Sequence, residues 1–259
     1  MSDTVIPSLS QENPAETVNC CWVAPSASLG KRLLLSLLAL TIASLIWIPQ
    51  AHRLYRVRLD DYRQPSGVPP KVRAIAARHL RLWTDPTLRK QEIGRMRGSN
   101  AEWDFMGRTF FVMALANLCY RDHASQTVYL EIIDRIIEET VRIEREKGMF
   151  FFLMDYGRSQ PFLASPARSI FVDGEIALMM AARQAVAPRD DFRPMLTERV
   201  EILVGQMGSG TAMCGESYPN ECWMFCNTVA AAAIRMHDII EKSDHSAFLQ
   251  RWLTTVREK

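Results

Sequence analysis

Apolar positions along the chain alternate between two textures of helix. Over residues 99–118, Trp103, Met106, Phe110, Phe111, Met113, Leu115 and Leu118 cover most of a helical circumference, so this helix is predicted to be buried. Ser99-x-x-Glu102 reads as its capping box. The segment 126–147 differs. Ile132, Ile133, Ile136, Ile137 and Val141 form one stripe, Glu131/Arg135 and Glu138/Arg142 are i,i+4 pairs on the other side, and Gly148 ends the run. The alternation repeats twice: 168–183 is apolar nearly all round and 192–204 carries Glu198, Arg199 and Glu201 toward water. Residues 225–240 are again apolar, and 245–256 are amphipathic through Phe248, Leu249, Trp252 and Val256. No stretch alternates apolar and polar residues long enough to predict a strand, so the domain, taken as 71–259, reads as all-α.

Three hairpins, each with one buried and one half-exposed helix, are what successive units of an α/α-toroid present. A helical solenoid would leave a similar pattern, but no repeated consensus favours it. The long connections 148–167 and 205–224 both precede buried helices. They are expected to meet at one end of the ring, together with residues 100–104, where converging polar groups are site candidates.

The first 70 residues carry a different pattern. Residues 1–30, rich in Ser, Pro, Asn and Glu, read as a disordered tail. Leu33 to Ile48 carries no charge, with Lys31 and Arg32 before it and His52, Arg53, Arg56 and Arg58 after it. Residues 31–52 are therefore predicted to be a transmembrane anchor with Trp47 at its interface. A cleaved signal peptide fits less well, because the run starts more than thirty residues in and no small-x-small site precedes the basic cluster. A wholly apolar helix inside a large core is the other alternative. Four arginines after the anchor (Arg53, Arg56, Arg58, Arg63) against two basic residues before it favour a cytoplasmic soluble domain in a single-pass inner or cytoplasmic membrane protein. Residues 53–70, ending in Gln-Pro-Ser-Gly-Val-Pro-Pro, read as a linker.

Charge and cysteine usage narrow the function. With 31 basic and 29 acidic residues in 259, net +2, and no basic stripe interleaved with aromatics, a nucleic-acid partner is not expected. Six unevenly spread cysteines (Cys20, Cys21, Cys119, Cys214, Cys222, Cys226) are not a disulfide framework. The chemically dense segment is 214–227: Cys214, Glu216, Tyr218, Asn220, Glu221, Cys222, Trp223, Phe225, Cys226 and Asn227 could hold an apolar substrate and move a proton. Equally, Cys222 and Cys226, one turn apart, could simply be small buried residues. Cys214, Cys222, Cys226 and His237 match neither a zinc finger nor a ribbon, so no metal and no cofactor is assigned. His237 lies some three turns beyond Cys226, a poor partner for a nucleophilic cysteine.

The run from Tyr218 to Ala230, Tyr-Pro-Asn-Glu-Cys-Trp-Met-Phe-Cys-Asn-Thr-Val-Ala, resembles the cysteine loop and Cys-Asn-Ser/Thr-Val helix start of the linalool dehydratase/isomerase family, and residues 170–184 resemble that family's preceding inner helix. The resemblance implies an all-α domain of the (α/α)6-toroid type, about half of it in this chain, preceded by one transmembrane helix. It also implies cofactor-independent addition or removal of water, or hydroxyl shift, on apolar allylic alcohols. Cys226 matches the family's second active-site cysteine. The first is Cys214, followed by an acidic residue at Glu216, with Cys222 as the alternative. The family's histidine falls at Glu175, in Asp173-Gly-Glu175, and its aspartate and tyrosines near the first inner helix have no direct match, Asp104 and Tyr156 being the stand-ins.

The expected mechanism has Glu175 or Glu216 protonating a leaving hydroxyl and Cys226 and Cys214 acting as base or covalent stabiliser. Trp103, Trp223 and Phe225 line the pocket, and Asp104, Tyr156, Asp173, Tyr218 and Asn227 stand around a small apolar alcohol or alkene. Three hairpins are half of a six-hairpin ring, so a homo-oligomer, a ring-completing partner or a truncated product is expected. The contrasting expectation is a membrane-anchored helical interaction module without catalysis.

Overall fold

The computed structural model describes residues 28–258. The tail expected over residues 1–30 lies, up to position 27, outside the described residues, as do Cys20 and Cys21. The chain divides into two bodies, Met1–Val57 and Arg58–Lys259.

In the first body, α1 (Leu29–Tyr55) runs for 27 residues, about 40 Å at the usual rise, longer than the predicted 31–52. It passes through Pro49, and none of its residues is buried. By length and composition it is the one described helix able to cross a membrane.

The second body is entirely helical among the described residues: α2 (Pro70–Thr84), α3 (Pro86–Ser99), α4 (Ala101–Cys119), α5 (Gln126–Lys147), α6 (Ile170–Val186), α7 (Phe192–Gly208), α8 (Met224–Glu241) and α9 (Ser246–Glu258), with short 3-10 turns between some of them. The pair α2/α3 is not evident in the apolar pattern. Only Ala76 and Trp83 of α2 are buried, and no residue of α3 is, so neither carries a wide core stripe. Local chemistry starts both helices instead. Each has proline at its N-terminus, where the missing N–H costs nothing, and the Asp85 carboxylate accepts from the Thr87 and Leu88 amides at 2.9 and 3.1 Å.

This extra hairpin overturns the expected start of α4. Ser99 closes α3, and Asn100 caps α4 by accepting from the Glu102 amide at 2.8 Å. The Glu102 carboxylate is thereby released from the capping box and turns to another partner.

The helices form two layers. α4, α6 and α8 lie side by side with α6 in the centre, α5 packs on α4 and α6, and α7 packs on α6 and α8. Fourteen of the 17 residues of α6 are buried, which makes it the axis of the core. The Phe105 and Phe171 rings meet edge to face at 5.2 Å, and one turn further along each helix Thr109 meets Glu175, so α4 and α6 run in the same direction. The connections leading into α6 and α8 are tied together, Ser169 donating to the Ser217 carbonyl at 2.6 Å and the Ile170 amide to the Glu216 carbonyl at 2.8 Å. The N-terminal ends of the inner helices therefore lie at one end of the body.

Candidate active site

The crossing of α6 and α8 is made by small residues. A Cβ added to Gly174 would sit 3.4 Å from the Ala230 backbone nitrogen and 3.5 Å from its Cα, so the two helices approach to backbone contact. On α6 the next residue is Glu175, and on α8 one turn before Ala230 is Cys226; both are almost fully buried. Neither Glu175 oxygen has a hydrogen-bond partner, and the Thr109 hydroxyl opposite also lacks a well-aligned one. Burial pushes the Glu175 carboxyl up to about 7, against a smaller downward pull from Thr109. Burial likewise pushes the Cys226 thiol up to about 11. The Ser217 side chain opposes this, and the charges of Glu175 and Glu102 add to it. At neutral pH the pair is thus a carboxyl poised between its two states beside a protonated thiol.

Above this pair stands an aromatic stack. The fully buried Tyr218 ring lies between Tyr156, 4.8 Å away and nearly parallel, and Trp223, 5.0 Å away. Its hydroxyl accepts from the Met154 amide at 2.7 Å and donates to the Glu102 carboxylate at 2.5 Å. Burial and that carboxylate hold the phenol far above its usual range. Glu221 joins the outer edges of the stack, accepting from Trp223 Nε1 at 2.9 Å and from the Tyr156 hydroxyl at 3.3 Å. Burial and the Glu221 charge push Tyr156 up to about 12. The loops 148–169 and 209–223 meet here, with the start of α4 as third wall.

The remaining residues singled out from sequence fall in three different settings. Glu216 sits in the loop but is fully engaged, its carboxylate accepting from the Leu163, Ala164 and Asn220 amides at 3.1, 2.7 and 2.7 Å. It clips the two loops together. Asn227 does the same for α8, taking the Gly215 amide at 2.8 Å and giving to the Gly215 and Trp223 carbonyls. Asp104 and Asp173 are buried in ion pairs. Asp104 accepts from Arg108 at 3.1 Å, and Asp173 from Arg168 Nε at 2.8 Å and from Arg199 at 2.6 Å. Trp103 is 57% exposed and lines a groove between α2, α3 and α4, so it does not line this centre as expected, while Phe225 is 44% exposed at the start of α8.

The cysteines divide. Cys214 and exposed Cys222 lie together, the Cys222 thiol donating to the Cys214 carbonyl at 3.8 Å. Burial and the neighbouring thiol push Cys214 up to about 12. Cys226 is buried next to Ser217 and within reach of the Glu175 charge, and it adds to the push on Cys214.

Two members of the centre, Glu102 and Thr109, are not evident from sequence. Glu102 has an obvious local use as a cap, and Thr109 stands alone in an apolar helix. The only signal was their spacing with Phe105, at i, i+3 and i+7, which puts them on one face of α4.

The class that fold and site define is an all-helical protein with one N-terminal helix long and apolar enough to span a membrane and a buried carboxyl–thiol centre between its inner helices. The chain matches no family model, no curated protein and no solved structure with which it was compared.

Proposed function

We propose that this is a membrane-anchored protein of the α/α-toroid type that adds or removes water, or shifts a hydroxyl, on a small apolar alcohol, in the manner of the linalool dehydratase/isomerase family. The observation that carries the reading is Glu175. An uncompensated carboxyl in a core costs stability, and two unsatisfied oxygens beside a thiol are hard to account for as packing. With its pKa near 7, the group holds and releases a proton at neutral pH, which general acid catalysis requires. Side-by-side inner helices with outer helices packed behind them support the toroid part of the reading, and exposed, apolar α1 supports the anchor.

In a dehydration, the Glu175 proton passes to the substrate hydroxyl, the C–O bond breaks with its electron pair leaving on water, and an allylic cation remains. Loss of a proton from the adjacent carbon to a base completes the alkene. Glu102, hydrogen-bonded to Tyr218, is the base we assign. Cys226, protonated at rest, donates to or lines the reacting centre, whereas the thiolate role expected for it would have to overcome its raised pKa. Glu216 is spent on backbone amides, which leaves Glu175 as the acid.

The test is turnover of a panel of allylic alkenols by the full chain in detergent, followed by gas chromatography. E175Q and C226A, both folded by circular dichroism, should each lose activity by roughly 100-fold or more. No turnover by the unmodified chain across the panel, or unchanged turnover in E175Q, overturns the reading.

A second reading, a non-catalytic interaction module, is favoured by one observation: an apolar groove of about 990 Å³ between α2, α3 and α4, lined by Ile75, His79, Trp103, Phe110 and Phe111. Ring completion by a second copy or another chain would use such a surface. The same alkenol panel separates this reading from the first.

A further inference from the structure

The turn between α8 and α9 gathers two histidines and an aspartate around one point, away from the carboxyl–thiol centre along α8. His237 and Asp238 close α8 and are both almost fully buried, and His245 stands just before α9 with about a quarter of its side chain open to solvent. Although adjacent in sequence, the first two converge. The Ser243 hydroxyl is 3.1 Å from His237 Nδ1 and 2.9 Å from Asp238 Oδ1, and His245 Nδ1 is 2.6 Å from the same Asp238 oxygen. One donor atom from each of the three residues falls within 4.8 Å of the others.

We infer that this turn is a binding site for a divalent transition metal of the zinc class, held by His237, Asp238 and His245, with water or the Ser243 hydroxyl in the fourth position. A tetrahedral zinc site with bonds near 2.0–2.1 Å places its ligand atoms about 3.3 Å apart. The widest pair therefore needs to close by at most about 1.5 Å, and the His245–Asp238 pair, now 2.6 Å apart, to open by about 0.7 Å, within the reach of small side-chain rotations. The donor set, two imidazoles and a carboxylate, is that of many zinc centres, and softer thiolates are not involved. Orientation is already provided, since His237 Nε2 lies 3.2 Å from the Thr197 hydroxyl, which fixes the ring while Nδ1 faces the cluster. The carboxylates of Glu201 and Glu241 add negative potential at His237. The exposed edge of His245 leaves a way in.

A purely hydrogen-bonded turn accounts for part of this geometry, since Asp238 also accepts from the His245 amide at 2.9 Å. What it does not require is a buried imidazole, that of His237, aimed at the same Ser243 hydroxyl that donates to Asp238. Metal binding replaces the His245–Asp238 hydrogen bond by two metal bonds, the proton on His245 Nδ1 moving to Nε2 of the same ring.

The experiment is Zn2+ titration of the full chain, stripped with chelator in detergent, by calorimetry and by metal analysis after dialysis. The expected result is one saturable Zn2+ site per chain, weakened roughly tenfold or more in H245N and unaffected in C222S. Co2+ in place of Zn2+ should show visible ligand-field bands of a four-coordinate nitrogen and oxygen site, without the near-ultraviolet band of a cobalt–thiolate bond. Should H245N fail to fold, the Co2+ spectrum of the unmodified chain decides by itself. Absence of a saturable site, a thiolate band, or binding lost in C222S but retained in H245N overturns the inference. Neither result depends on whether the chain turns over an alkenol.

Discussion

Single residues in this core are set by what surrounds them more than by what they are. Glu175, Glu216, Asp173 and Asp104 are four buried carboxylates with four fates: unpartnered, clipped to three amides, shared between arginines, and paired along one helix. The first is held away from its ordinary charge state, and this has a consequence for stability. An unfolded glutamate loses its proton near 4.5, whereas buried Glu175 keeps it to about 7, so the folded state binds more protons in between. Folding stability should therefore fall as pH rises from about 4.5 to 7 and level off above. The total from this one group is about 3 kcal/mol for a shift from 4.5 to about 7. E175Q removes the titration. Urea unfolding of both proteins from pH 4.5 to 8 should show E175Q gaining on the unmodified chain across that window. A constant difference would mean that Glu175 reaches water when folded.

Elements are joined here by two kinds of contact. Inner helices meet through small and aromatic residues, as at Gly174/Ala230 and Phe105/Phe171. Outer helices are fixed by ion pairs, as where Arg183 of α6 holds Asp134 of α5 and Arg199 of α7 holds both Glu144 of α5 and Asp173 of α6. The first kind sets the site. Ala230→Leu adds a branched side chain where α6 already touches the α8 backbone, so it should force the helices apart and cost about 1–3 kcal/mol by overpacking. Because Cys226 lies one turn away on α8, its alkylation, mapped by mass spectrometry, should speed up in the same variant. Unchanged stability with unchanged Cys226 reactivity would show that the crossing has slack.

At the scale of the whole molecule, the two bodies have opposite surfaces. α1 buries none of its residues and carries no charge from Leu33 to Ile48, whereas the body from Arg58 onward has a continuous core running through α2 and from α4 to α9. A chain beginning at Arg58 should therefore keep its helical circular dichroism and cooperative unfolding and stay in the supernatant after membranes are sedimented, while the full chain should sediment with them. If the shortened chain also sediments with lipid, the membrane affinity lies elsewhere, the α2–α4 groove being the first place to look.

Helix class, the alternation of buried and amphipathic helices, and the apolar N-terminal segment were all legible from sequence, because each depends on the period and extent of apolar residues, which are local properties. The same reasoning passed over α2 and α3, whose starts depend on proline and aspartate caps and whose faces carry little core. The dense loop 214–227 was legible as chemistry, but not the division of labour within it. Whether Glu216 clips two loops and whether Glu102 caps its helix or binds Tyr218 are decided by segments 52 to 116 residues away, and whether Glu175 finds a partner is likewise decided by other helices. So too the turn where His237, Asp238 and His245 converge shows no metal spacing along the chain. Composition and period are carried by neighbours in sequence, but the charge state and occupation of a buried polar group depend on which groups packing brings beside it, and only the tertiary structure decides that.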